Sequence, residues 1–523
     1  MASRRSVAPR DQGGFAVRAG ADGTYLMGVD IGTLSTKGVL VNLRGQVISA
    51  AVVGHLVRHP RPGWAEHDAD EDWWGDSRRV IRNLLEQSQV PATQIAGLCV
   101  SGLFPVLCPA DSTGRPLRPA ILYSDTRAMD QVGWVARLSG AKLKGDEAIL
   151  KYLWLREHEP EIAAQTQMLF SAPGYVVYRL TDVWAVDFQT AYRMGGLLDR
   201  DRRGWRQELC AAIEVPLSIL PPIYSPLEVI GRVSAVAAQQ TGLREGTPVL
   251  AGTTDTLATL VGNGVIARGE AMIYYGSTGL LTVCSRDVAD VLATPQLMDD
   301  ETPFILAAYL LNFGEVLEWL IQNWLSHLPA DGSAYQFMEE GAAQIPPGSE
   351  GVMALPWFCG RVLPEANPHA RGAFLGLTPK HTPFHLWHAL LEAFGYEIRQ
   401  SLHSLAARGI IVERAVASGG GARSRLWRQI VSDITGVLQE YSDEDAAARG
   451  TAFLAGYGLG LIKSLSAARE QWRQPVDVTY PRPQTRECYV RLFEVYQDLN
   501  RYLTGPHQSL VGLVAECDER KGR

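Results

Sequence analysis

One short design occurs twice in this chain, near residue 30 and near residue 276. The first copy is an apolar run, Tyr25-Leu-Met-Gly-Val-Asp30-Ile-Gly-Thr33, followed by Ser35-Thr-Lys37 and the apolar Gly38-Val-Leu-Val-Asn42. Arg44-Gly45 then turns the chain into a third strand over 46–56. Tight glycine-containing turns between apolar runs predict an antiparallel meander. The second copy is Glu270-Ala-Met-Ile-Tyr-Tyr275, the turn Gly276-Ser277-Thr278-Gly279, and the return strand Leu280-Leu-Thr-Val-Cys284. A chain that opens twice in this way is constrained to two related α/β units. The break Gly262-Asn-Gly264 separates them.

The turns carry chemistry. Backbone N–H groups and hydroxyls at Gly32, Thr33, Gly276 and Ser277 can cradle phosphate oxygens, and Lys37 can neutralise them. Asp30 can hold a hydrated magnesium ion, which favours one or two carboxylates plus phosphate oxygens. An ordinary hairpin with a polar tip is the alternative for each. Facing each other across a cleft, the two turns could grip a polyphosphate from both sides. Between them, the strand Thr247-Pro-Val-Leu-Ala-Gly252 delivers Asp255 where a helix begins. A carboxylate there can act as a general base on a substrate hydroxyl, or can merely cap the helix. Farther on, Ala415-Val-Ala-Ser418 runs into Gly419-Gly420-Gly421, a turn through which backbone can approach a ligand closely. Strands over 95–101 and 119–123 also end in polar clusters, the latter with Asp125 and Arg127 as either a surface pair or a ligand clamp.

Composition removes several classes. The chain has 523 residues, 46% hydrophobic and 20% charged, with net charge −7. It can bury a large core, and it lacks the positive surface that nucleic acid or an anionic membrane would require. There is no apolar run long enough to span a bilayer and no secretory h-region. The odd number of cysteines, seven, without a CxxC pair, points to buried thiols in a reducing cytoplasm. Residues 1–24 read as a disordered extension and 505–523 as a frayed polar tail. Helices are predicted over 72–89, 384–408, 424–435 and 446–461, the last small-residue-rich and packed against something flat. A Pro/Gly/Asn-rich loop is predicted over 358–377. His385 and His388 share a helix face, with an interface or core role favoured over metal binding.

In order and spacing these features resemble the FGGY family of carbohydrate kinases, most closely its xylulokinase-like, pentulose-kinase branch. The resemblance runs from about Tyr25 to Leu503. It is carried by Asp30-x-Gly-Thr33 with Lys37, Gly63-Trp64-x-Glu66-His-Asp68 before Trp73-Trp74, and Ile121-Leu122-x-x-Asp125-x-Arg127. Leu153-Trp154-x-x-Glu157-His-Glu159-Pro-Glu161, Asp255, the Gly276 hairpin and Asn367-Pro-x-Ala-Arg371-Gly-x-Phe374-x-Gly376 extend it. So does Gly419-Gly-Gly-Ala-Arg423-Ser. The resemblance implies an α/β fold of two RNase H-like, actin/hexokinase-type domains, 25–264 and 265–504, around a central ATP cleft. It implies Asp255 as the base and Asp30 as the magnesium-associated acid. Gly32, Thr33, Lys37, Gly276 and Ser277 would lie at the β- and γ-phosphates, and Gly419, Gly420, Gly421 and Arg423 in the nucleotide loop. Ser101, Leu103, Phe104, Asp125 and Asp255 would lie at the sugar. The implied reaction transfers the ATP γ-phosphate to a primary hydroxyl of a small sugar. A ketopentose such as xylulose is the expected acceptor, with ribulose or a tetritol as alternatives, or a sugar-sensing role on the same fold. A homodimer is a family-level expectation. One departure stands out. Where xylulokinases carry Gly-Gln-Met-His-Gly, this chain has Gly102-Leu103-Phe104-Pro105-Val106.

Overall fold

The computed structural model describes residues 23–141, 143–199, 204–266, 269–276, 278–285, 294–295, 304–310, 313–324, 333–361, 367–441, 446–464, 472 and 475–521. The expected extension falls almost wholly on residues 1–22, and Ser277 also lies outside the described residues.

Two seven-stranded sheets form the frame, and six strands of each follow the same order, with Thr294–Pro295 added at the edge of the second beside Phe304–Leu310. In the first, Tyr25–Ile31, Ser35–Asn42 and Val47–Gly54 make the antiparallel meander. Ile95–Gly102 pairs parallel to Tyr25–Ile31, and Pro248–Leu250 continues parallel beyond it. Val229–Arg232 closes that edge antiparallel, and the two-residue Thr253–Thr254 also pairs with Ile95–Gly102. In the second, Ala271–Tyr275, Gly279–Ser285 and Phe304–Leu310 repeat the meander. Arg414–Ser418 and Leu438–Tyr441 follow in parallel, and Asp477–Thr479 closes antiparallel. Every residue of Tyr25–Ile31 is buried, as a central strand covered on both faces requires.

Two helices join the halves. Asp255–Gly262 ends the first unit, and Ala446–Gly458 of the second packs on it and on the strand Tyr25–Ile31. Small residues make this contact possible. A Cβ on Gly450 would lie 1.8 Å from the Ala258 carbonyl oxygen, and one on Gly262 1.8 Å from that of Ala446. The expected flat partner of this helix is therefore the first sheet together with a helix backbone.

Several expectations are corrected. The helix predicted over 72–89 begins as a wide turn, Ala69–Gly75, capped by Asp68, before the α-helix Asp76–Ser88. The loop predicted over 358–377 contains the strand Ala373–Leu375, paired with Met353–Leu355. Residues 505–521 continue the helix Arg486–Lys521, and His507 on it is buried, its ring 6.2 Å from that of Trp357. Of the described cysteines, Cys99, Cys108, Cys210 and Cys284 are buried as expected, but Cys359 and Cys488 are exposed. His385 completes the capping box at Thr382, and His388 hydrogen-bonds Ser349 at 2.9 Å, so both serve the fold.

Candidate active site

Register brings four side chains into one row across the first sheet. Lys37 pairs with Asp30, Asp30 with Ser101, and Ser101 with Thr253. Register partners on neighbouring strands point to the same face, so the row runs from the hairpin towards Asp255. Ser101 Oγ donates to Asp30 Oδ1 at 2.6 Å. Thr253 Oγ1 lies 3.4 Å from Oδ1 of Asp187, a buried acid raised to about 6, chiefly by burial.

Asp255 opens its helix without capping it. Thr254 is the N-cap, its Oγ1 accepting from the Leu257 N–H at 3.3 Å. The capping alternative therefore falls to the neighbour, and Asp255 keeps its carboxylate for other work. The Thr256 hydroxyl donates to Oδ1 of Asp255 at 3.3 Å. Burial first, then the negative charge of Asp30, raise its pKa to about 7, against a smaller lowering by the N–H and hydroxyl of Thr256. The two acids thus feel each other, and one is held near neutrality.

The first hairpin is braced from behind. Gly32 N–H donates to Ser35 O at 2.9 Å. His55 Nε2 lies 3.0 Å from Gly32 O, and its Nδ1 lies 2.8 Å from Asp76 Oδ2. Thr33 Oγ1 meets the Tyr123 hydroxyl at 3.2 Å. In the second hairpin, Gly276 N–H donates to Thr278 O at 3.2 Å. A Cβ on Gly276 would lie 2.1 Å from the Tyr274 ring. Gly419 has φ +93°, and a Cβ there would lie 2.7 Å from Tyr275 O and 3.0 Å from the Tyr274 ring. No atom lies within 4 Å of a Cβ built on Gly420. A Cβ on Gly421 would lie 2.5 Å from the Trp427 ring, so within this turn Gly420 is the glycine that faces open space. Arg423 ends the turn and is exposed. Asp30 and its hydroxyl neighbour supply only oxygen donors, the set magnesium favours.

The expected sugar contacts separate. Leu103 is buried in the apolar core, and its N–H donates to Ile31 O at 2.8 Å. Phe104 is half-buried. Ser101 is committed to Asp30. Asp125 is buried with four bonds to the protein. Oδ1 accepts from Arg127 N at 2.9 Å and Arg127 Nε at 2.8 Å, and Oδ2 from Ala65 N at 2.6 Å and Arg127 Nη2 at 2.7 Å. A carboxylate has about four acceptor positions, and these bonds occupy those of Asp125. It clamps Arg127, whose guanidinium sits 3.6 Å from the Trp64 ring centroid.

Three residues at or behind the described elements escaped the sequence reading. Tyr274 is half-buried, and burial, Asp255 and Tyr123 push its phenol up while Lys37 pulls it down. Its place two residues before the hairpin glycine, equivalent to Asp30, was a usable signal. Lys151 is fully buried, 3.4 Å from Pro105 O, with its pKa lowered to about 8 by burial. His55 had no motif to mark it.

Comparison with known proteins agrees with the two-unit fold. The N-terminal domain model of the FGGY family of carbohydrate kinases matches residues 25–262, and the C-terminal domain model matches 271–459. The chain is 30% identical over 491 residues to a xylulose kinase from Escherichia coli, covering 90% of this chain and 98% of the relative. It is 28% identical over 514 residues to an autoinducer-2 kinase from Salmonella choleraesuis, covering 92% and 96%. The crystal structure of xylulose kinase from Rhodospirillum rubrum superposes with TM-score 0.82 at 29% identity, covering 92% of this chain and 100% of that one. Among the described residues, no helix is long and apolar enough to cross a membrane.

Proposed function

Because the chain belongs to the FGGY family of carbohydrate kinases, we propose that it transfers the γ-phosphate of ATP to a primary hydroxyl of a small ketose, a ketopentose such as xylulose. The observation that carries this reading is Asp255, relieved of capping and raised to about 7. A general base works best with a pKa near the working pH. Asp255 would accept the proton of the attacking hydroxyl while the hairpins hold the phosphates in line. Phosphoryl transfer needs that positioning and charge neutralisation more than covalent chemistry. Lys37, one strand from Asp30, would offset charge on the transferring group. The two hairpin turns, which carry no side chain at Gly32 and Gly276, would let phosphate oxygens approach the backbone closely. Gly419, Gly420 and Gly421 would receive the nucleotide. Asp30 would hold magnesium, whose contribution is to neutralise phosphate charge and fix phosphate geometry.

The half-buried Phe104 supports a second acceptor. An apolar side chain offers no hydrogen bond by which a site could select one hydroxyl pattern over another, so discrimination there is weak. A shorter polyol such as a tetritol is the second reading. Acceptor-dependent ADP formation, measured over ketopentoses, tetritols and hexitols with ATP and magnesium, tests both readings. Turnover on xylulose or ribulose supports the first, and preference for a tetritol supports the second. Sugar binding without turnover would identify a sugar-sensing member and overturn the kinase assignment.

A further inference from the structure

The helix Ala446–Gly458 lies within the C-terminal family domain, yet it is seated on the N-terminal sheet. Its seat is tight. A Cβ on Gly28 would lie 2.0 Å from Ala448 O and 2.6 Å from Ala452 N. Gly28 and Asp30 are two residues apart on one strand, so both face the helix side of the sheet. From this seat Thr451 reaches the catalytic row. Thr451 Oγ1 lies 2.8 Å from Ser101 Oγ, and Ser101 Oγ lies 2.6 Å from Asp30 Oδ1. Thr451 and Ser101 are fully buried, and Asp30 is 6% exposed.

The direction of these bonds follows from proton count. An ionised carboxylate only accepts, so the single Ser101 proton goes to Asp30. The Ser101 oxygen then accepts from Thr451. A helical threonine ordinarily rests its proton on the carbonyl one turn back, and Ala447 O is available at 2.7 Å. Thr451 therefore has two acceptors, and only one of them orders the site.

We propose that Thr451 is a positioning residue, which from the second domain aims the Ser101 proton at Asp30 Oδ1 and fixes how Asp30 presents its carboxylate to a magnesium–nucleotide complex. This rests on the reading of Asp30 given above. The relay crosses the domain boundary, so the seating of one domain on the other sets the geometry of the acid.

Thr451→Val keeps the shape and removes the hydroxyl. Manganese titrated into the full-length protein with ADP, followed by electron paramagnetic resonance, reads the site without turnover. Thr451→Val should raise half-saturating manganese about 3- to 10-fold, the worth of one hydrogen bond. The kcat should fall comparably with acceptor KM unchanged, and Thr451→Ser should restore both to within about twofold. In a Ser101→Ala background, Thr451→Val should add less than about twofold, because the link is already cut. Unchanged manganese half-saturation in Thr451→Val, or fully additive losses, would overturn the proposal. Should Thr451→Val not fold, wild-type half-saturation in Ser101→Ala overturns it. The titration needs no acceptor, so absence of kinase turnover and failure of the relay remain separate results.

Discussion

Asp30 and Tyr274 occupy equivalent positions in the two sheets. Each sits two residues before a hairpin glycine, and each pairs in register with a serine on the parallel neighbour, Ser101 or Ser418. The surroundings differ. Around Asp30 stand Lys37, the Ser101 hydroxyl and, behind the hairpin, the His55–Asp76 pair. Around Tyr274 stand the bare backbones of Gly276 and Gly419. One architecture thus supplies charge on one side of the site and an open, aromatic-lined backbone on the other. A duplicated frame fixes where groups stand, while single residues decide what each copy can do.

The comparison is tested most sharply at Asp255, the acid that opens the helix Asp255–Gly262 in the first half. Asp255→Ala should cut acceptor phosphorylation by ~10² or more, typical of a removed base. Near-normal phosphorylation by that variant would end the assignment. In the unaltered protein, kcat/KM should fall as pH drops through about 7, because a base acts only when deprotonated. Stability runs the other way. A carboxyl whose folded pKa is raised above its ordinary 3.8 burdens the fold as pH rises towards and past about 7. Asp255→Asn should therefore raise Tm at pH 8, with the gain fading below pH 4, roughly the unfolded pKa. Thermal melts of both proteins at the two pH values check the sign.

Gly419→Ala tests the second half. Its φ of +93° and the 2.7 Å approach to Tyr275 O make any side chain strained, at about 1–3 kcal/mol. ATP affinity should drop while acceptor affinity holds, which calorimetry with each ligand alone would separate. A smaller effect is expected at the first hairpin. His55→Ala removes one bond to Gly32 O, worth about 1 kcal/mol, and should raise ATP KM several-fold with acceptor KM steady. The smallest belongs to Tyr274→Phe. Keeping the ring should keep ATP KM and Tm within about twofold and 1 °C, in the range of a surface change. A larger loss of kcat would place the phenol hydroxyl itself in the chemistry.

Much of this was legible in the chain. Turn glycines and apolar runs announced both meanders, because local sterics and alternation suffice for them. Asp255 was visible at a strand end, though cap and base were inseparable until Thr254 proved to be the cap. Ser101 and Asp125 show what a local reading leaves out. A polar group at a strand tip looks ready for a ligand, and only its spatial neighbours show that its bonds are already made. Thr451 and His55 carried no local sign, since their partners lie 350 and 23 residues away in sequence.

The sequence by itself determined the two-unit plan, the hairpin backbones, the glycine cradle and the identity of the acids. These depend on conformational preference and residue type within a few positions of one another. Tertiary structure alone decided the row from Lys37 to Thr253, the raised pKa of Asp255 and the reach of Thr451 across the domain boundary. Those depend on strand register, on burial and on charges brought close by chain segments far apart, and none of these has a local spelling.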